Sequence, residues 1–240
     1  MTTPEQPLQD RNFDDLADQF ARRVYGGSKG RIRLALLDRD LREAVPALYG
    51  EGPRLRILDA GGGEGQFSQT LAALGHQVDL CDLSGEMVQR AQASAQAAGL
   101  GERMRCFQAS VQDLPVTGGY DLVLFHAVLE WVADPYSTLQ AVLRQVRPGG
   151  QLSLMFYNLH STVFRSVVRG FLDKVLAGDP RGKGRGLTPI SPLEPEQVLG
   201  WLEAAGLVVQ VRSGVRVFHD YMHHDIRKQQ DDASLLALEQ

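Results

Sequence analysis

Between residues 55 and 157 short apolar runs and amphipathic stretches take turns, and this alternation narrows the folds open to the chain more than any other feature. Strand-like runs at 55–59, 77–81, 104–109, 122–126 and 151–157 alternate with stretches at 66–74, 85–98 and 135–146 whose apolar residues recur at helical spacing. Strands joined through helices run parallel, and the crossovers place helices on both faces of the sheet. The expectation is an α/β fold, a Rossmann-like doubly wound and mostly parallel sheet. Ahead of it, Phe13, Leu16 and Phe20, then Ile32, Leu34, Leu37 and Leu41, point to two helices around a turn at 25–30. These helices are expected to form a cap over residues 1–52, leaving 53–240 as the main domain. Within that domain the pattern loosens at 158–195, where a helical excursion and a basic, glycine-rich loop are expected to make a lid. A helix at 196–205, a strand at 208–219 and a polar helix at 225–239 are expected to follow.

The chemistry is concentrated where the first strand turns into its helix. Asp59-Ala60-Gly61-Gly62-Gly63-Glu64-Gly65 stands at that turn, and Asp82 ends the next strand. Glycines let a backbone turn tightly and come close to a neighbour, and an acid after strand two is placed to accept both ribose hydroxyls of an adenosine. A dinucleotide site instead spaces its glycines G-x-G-x-x-G to seat a pyrophosphate on a helix N-terminus. Here glycines fall at 61, 63 and 65, with none at 66. Glu64 would also put a carboxylate at the helix start, where it repels a pyrophosphate but not a cationic sulfonium. S-adenosylmethionine (SAM) is therefore the expected cofactor. A bare βα turn is the alternative for the glycine loop taken alone.

Composition closes off other classes. No apolar run approaches the ~20 residues of a membrane span, and residues 1–11 have neither the basic start nor the apolar stretch of a secretory signal. Cytoplasm is expected. The only cysteines, Cys81 and Cys106, fall in strand-like runs, so buried thiols are expected rather than a disulfide framework. A net charge of −4 argues against a protein that coats nucleic acid, although a local basic patch can still bind a structured one.

Further tracts narrow the family. Ser110-Val111-Gln112-Asp113-Leu114-Pro115 and Arg147-Pro148-Gly149-Gly150 complete a constellation that resembles class I SAM-dependent methyltransferases. Gln9-Asp10-Arg11-Asn12-Phe13-Asp14-Asp15, the tract from Phe125 through Glu130-Trp131 to Pro135, Leu154-Met155-Phe156-Tyr157-Asn158 and Gly214-Val215-Arg216-Val217-Phe218-His219-Asp220-Tyr221 resemble the bacterial tRNA 5-carboxymethoxyuridine methyltransferases. These esterify the carboxylate of a modified wobble uridine in the tRNA anticodon arm. The resemblance implies SAM contacts at Arg33, Gly61, Gly62, Asp82, Val111, Gln112 and His126. That family, like class I enzymes generally, closes its sheet with a further antiparallel strand after the last helix. This chain stops at Gln240 without one, so a shortened C-terminus is expected.

An ionised carboxylate acceptor, with a reference pKa of about 4, needs no general base, and none is expected. For the acceptor, Trp131 is a candidate stacking surface, against an ordinary core role, and Tyr157 a candidate hydrogen-bond donor at the end of strand five. Arg181, Lys183 and Arg185 are candidate phosphate contacts in the lid, where cations outnumber Asp173 and Asp179. His219, His223, His224 and Asp225 invite a metal reading, but the reaction needs none and no metal is expected. Two other functions stay open: a class I enzyme for a small acceptor such as a quinone precursor, and a non-catalytic SAM-sensing or tRNA-binding module.

Overall fold

The computed structural model describes residues 9–20, 26–116, 118–178 and 189–240. Five strands form one sheet: β1 (Arg56–Ala60), β2 (Gln77–Asp82), β3 (Met104–Gln108), β4 (Tyr120–His126) and β5 (Val146–Met155). Their order is β3-β2-β1-β4-β5, and every pairing is parallel. The strands read as continuous apolar runs because both faces are covered. Ile57, Leu80 and Leu122 face one core cluster, while Leu58, Cys81, Val123 and Phe125 face the other.

The helices are α1 (Ala17–Phe20), α2 (Ser28–Ala44), α3 (Gln66–Ala73), α4 (Gly85–Ala97), α5 (Pro135–Leu143), α6 (Leu159–Val168), α7 (Leu172–Leu176), α8 (Pro195–Ala204), α9 (His224–Lys228) and α10 (Asp232–Glu239). Side-chain caps fix several starts. The Ser84 hydroxyl accepts from Met87 N–H at 3.1 Å to open α4, and Asp134 accepts from Ser137 N–H at 3.0 Å to open α5, with Pro135 in its first turn. Leu235 of α10 packs with Ile32 and Leu36 of α2, so the last helix braces the N-terminal one.

Four expected elements are corrected. Residues 135–146 do not form one helix: α5 ends at Leu143, because Val146 pairs with Tyr120 and joins the sheet. β5 therefore starts before the expected 151 and ends at Met155 rather than 157. Its register jumps from Tyr120↔Val146 to Leu122↔Gln151, so Arg147 to Gly150 form a bulge inside the strand, with Gly149 at φ +72°.

No strand forms at 208–219. Valines recur there, but Val208 is 85% exposed, and the backbone amides of Val217, Phe218 and His219 donate to the Glu239 carboxylate instead of a neighbouring strand. A β pattern without a partner ladder cannot satisfy its backbone. Finally, the expected helix at 225–239 is two, α9 and α10, separated where Asp231 caps the second by accepting from Ser234 N–H at 2.7 Å.

Candidate active site

A cleft opens at the C-terminal ends of β1, β2 and β4, where the strand order reverses direction between β1 and β4. The glycine turn forms its floor. Gly61 and Gly62 N–H both donate to the Cys81 carbonyl, at 2.8 and 3.2 Å, which carries the β1–β2 ladder one step further. Gly61 sits at φ +72°, and a Cβ there would lie 2.4 Å from Val128 Cγ2; one on Gly62 would lie 2.6 Å from Asp59 Cγ. The glycines are thus required first by close packing of protein on protein at the strand ends.

Asp82 stands at the rim. Gly63 N–H donates to its Oδ2 at 2.9 Å and Ser84 N–H to its Oδ1 at 2.8 Å, so the carboxylate is held against the turn it faces. Burial raises its pKa, opposed by those two amides. The acid that opens the motif does something else: Asp59 lies beneath the turn and accepts from the Ser68 hydroxyl at 2.6 Å, and burial pushes its carboxyl up to about 6. Glu64 also departs from expectation. Its carboxylate turns to Arg90 Nη1 at 3.3 Å and Gln66 Nε2 at 3.0 Å, so its charge is spent on that pair rather than on an occupant of the cleft.

Leu83, Met87, Ala109 and Val111 make an apolar wall. Across from it the N-terminal strap crosses the cleft. Asp10 accepts from Gln112 Nε2 at 2.9 Å and from Ala133 N–H at 2.7 Å. Arg11 N–H donates to the Trp131 carbonyl at 2.9 Å, and Phe13 meets the Trp131 ring edge-on at 5.0 Å. Asp10, Arg11 and Phe13 line the cleft, a role that spacing alone gave no sign of; their tract entered only through the family resemblance.

Arg33 and His126 mark the other end. Arg33 reaches in from α2 and is buried. His126 Nε2 lies 2.8 Å from the Ser153 hydroxyl, and burial and then the Arg33 charge push its pKa down to about 3, which keeps the ring neutral at physiological pH. Ala127, next in the chain, holds φ +58°, a left-handed conformation that costs a non-glycine residue roughly 1 kcal/mol or more.

Just behind, Glu130 is fully buried, and neither of its oxygens has a hydrogen-bond partner among the described residues. Burial pushes its carboxyl up to about 7, opposed in part by the Arg33 charge. Its neutral form therefore favours the fold. The contribution is complete below the ordinary value of 4.5 and is lost as pH rises toward about 7. Glu130→Gln is expected to remove this loss, so its advantage over the parent in unfolding free energy should grow by about 2 kcal/mol between pH 5 and pH 8. Equal pH slopes in chemical denaturation of the two proteins would refute the assignment.

The structure thus brings Arg33, Gly61, Gly62, Asp82, Val111, Gln112, His126 and Trp131 to one cleft. Trp131 is both buried and on the cleft wall, which joins the two readings of it. Tyr157 lies outside, in an adjoining groove beside β5 that also touches Arg33 and Ala127. Arg181, Lys183 and Arg185 lie outside the described residues. The histidine group does not converge: His219 is buried against Ser28 and Asp220, whereas His223 and His224 are exposed. Helices α6 and α7 and the turn between them mix charge with apolar surface, since Phe164, Val168, Phe171 and Leu176 are exposed alongside Arg169 and Lys174, with Arg165 half-buried.

A family model described as a methyltransferase domain matches residues 58–154. Over 235 residues the chain is 48% identical to the tRNA 5-carboxymethoxyuridine methyltransferase of Escherichia coli (strain K12), covering 97% of this chain and 89% of that protein. It is 33% identical over 164 residues to the ubiquinone biosynthesis O-methyltransferase of Xanthomonas axonopodis pv. citri, covering 67% of this chain and 65% of that one. Among solved structures, the magnesium protoporphyrin IX methyltransferase of Synechocystis PCC 6803 with bound SAH shares the fold at a TM-score of 0.62 and 21% identity, over 84% of this chain and 89% of that one.

Proposed function

The chain belongs to the family of the tRNA 5-carboxymethoxyuridine methyltransferases, and on that premise we propose that it transfers the methyl group of SAM to the carboxylate of 5-carboxymethoxyuridine at the tRNA wobble position, giving the methyl ester. The observation that supports this reading is the 48% identity over 97% of the chain to a named relative, joined to a cleft lined by Arg33, Asp82 and Val111. In this reading the Asp82 carboxylate would accept from the ribose hydroxyls, the apolar wall at Val111 would cover the adenine, and the Arg33 guanidinium would pair with the methionine carboxylate.

SAM supplies a methyl group on a positively charged sulfur. The chain's part is to hold donor and acceptor in line and to exclude water. His126 helps by staying neutral, since a protonated imidazole beside a sulfonium would repel it. In the transfer one C–O bond forms and one C–S bond breaks, and carboxylate and sulfonium become a neutral ester and a neutral thioether. Opposite charges that cancel in the transition state are helped by a site of low polarity, and no proton has to move. No side chain is therefore assigned as a general base.

The anticodon arm is the proposed RNA contact. Arg165, Arg169 and Lys174 line the groove beside β5, and Arg181, Lys183 and Arg185 extend this positive charge along the sequence. A quinone precursor offers nothing for so many cations to hold. No described helix is long and apolar enough to cross a membrane; the proposed compartment is the cytoplasm.

The test follows from the product. Incubation with labelled SAM and tRNA that bears unesterified 5-carboxymethoxyuridine should place label on that nucleoside, and mild base should release it as methanol. Base-stable label, as from an amine or ring methyl group, would sink the carboxylate assignment.

A further inference from the structure

The reading above leaves open which residues hold the acceptor. We propose that the Arg216 guanidinium and the Tyr157 hydroxyl, backed by Lys29, bind the acceptor's carboxylate in the groove beside the cofactor cleft; this rests on the methyl-transfer reading. Arg216 Nη2 donates to the Tyr157 hydroxyl at 3.1 Å. Only 10% of the Arg216 side chain is exposed, and its buried Nε has no hydrogen-bond partner among the described residues. A buried guanidinium with an unused N–H is a strong, directional anion donor, because a charged N–H aimed at one carboxylate oxygen makes a short charge-assisted hydrogen bond.

Its position is enforced. Arg216 holds φ +61°, a left-handed backbone for a non-glycine residue, and the three amides that follow it are pinned by the Glu239 carboxylate at 2.6–3.0 Å. Asp220 Oδ2 lies 3.6 Å from Arg216 and its Oδ1 lies 3.7 Å from Lys29 Nζ. Arg165 and Arg169 line the same groove, so Arg216, Lys29, Arg165 and Arg169 outnumber the Asp220 and Glu239 carboxylates that offset them, and the cluster can take a further anion.

The groove also sits where methyl transfer needs it. Tyr157 follows two residues after Met155, the β5 partner of His126 in the cleft. Lys29 and Arg33 stand one turn apart on the same face of α2, and Arg33 and Ala127 border both the cleft and the groove. An acceptor whose carboxylate is held by Arg216 through one oxygen leaves its other oxygen for the methyl group. Arg216 lies too deep for an RNA backbone phosphate, and a uridine that lacks the carboxylate leaves the guanidinium unmet, which makes this pair a determinant of specificity.

The experiment compares two anticodon stem-loops, one with 5-carboxymethoxyuridine and one with 5-methoxyuridine at the wobble position, against the parent, Arg216→Gln, Arg216→Lys and Tyr157→Phe. The parent should bind the carboxylate-bearing stem-loop at least about 10-fold more tightly. Arg216→Gln should bring the two affinities together by weakening only the carboxylate-bearing one, Arg216→Lys should recover part of the difference, and SAM affinity should stay within about 2-fold throughout. Tyr157→Phe, which keeps the ring and its packing, should narrow the difference even if the arginine variants fold poorly. Discrimination unchanged in Tyr157→Phe and in the folded arginine variants overturns the proposal. A parent that methylates neither RNA overturns the functional reading itself, which is a separate result.

Discussion

Replacing Asp82 with alanine is expected to weaken SAM binding by about 2–3 kcal/mol, roughly 30- to 150-fold in dissociation constant. The carboxylate is proposed to accept from both ribose hydroxyls, and it already accepts from Gly63 and Ser84 N–H. The alanine therefore removes two ligand contacts and also releases the turn that shapes the floor. Asn separates these effects. Its single carbonyl oxygen can keep one of the two backbone contacts, while its amide presents a donor where a hydroxyl expects an acceptor. Calorimetry should place Asp82→Asn between parent and alanine, with thermal stability closer to the parent. An unchanged dissociation constant in both variants would mean that the adenosine binds at another strand end.

Much of this site is legible in the chain because its parts are local. The strand, the glycine turn and the acid at the next strand end are read from short-range pattern, and β1, β2 and the cleft residues Gly61, Gly62 and Asp82 fall where the spacing puts them. What pattern misses depends on contacts far apart in sequence. The valines at 208–217 have the composition of a strand, but a strand also needs a neighbour, and at its end Glu239 takes the amides of Val217, Phe218 and His219. Val146 belongs to β5 through pairing with Tyr120, a fact that helical periodicity in residues 135–146 cannot contain. Arg216 carries no motif signal of its own beyond the family tract. It becomes visible only when a left-handed turn near the C-terminus brings it to Tyr157, 59 residues earlier. Glu64 shows the opposite failure: a charge placed correctly in the sequence is neutralised by Arg90, a residue of α4 that the local argument did not include.

Gly61→Ala is expected to be as damaging as loss of Asp82, for a reason that can be divided experimentally. The new Cβ would lie 2.4 Å from Val128 Cγ2, well inside contact distance, on a residue held at φ +72°. The clash must push apart the β1 turn and the loop after β4, which together form two sides of the cleft. Overpacking of this kind costs about 1–3 kcal/mol, and the left-handed backbone adds about 1–2 kcal/mol for any residue with a Cβ. Unfolding free energy should therefore drop by roughly 2–5 kcal/mol, and SAM affinity should fall by at least about 30-fold as the walls separate. Val128→Ala removes the obstructing methyl groups but leaves φ as it is. In the double variant most of the steric part should go, since only the Val128 Cβ at 3.3 Å remains, and the backbone part should stay, so that Gly61→Ala costs only about 1–2 kcal/mol when Val128 is already alanine. The two substitutions should then be coupled by at least about 1 kcal/mol in a double-mutant cycle of denaturant unfolding. Strict additivity would show that the glycine is required by its conformation alone, and that the approach of Val128 to the turn does not set the width of the cleft.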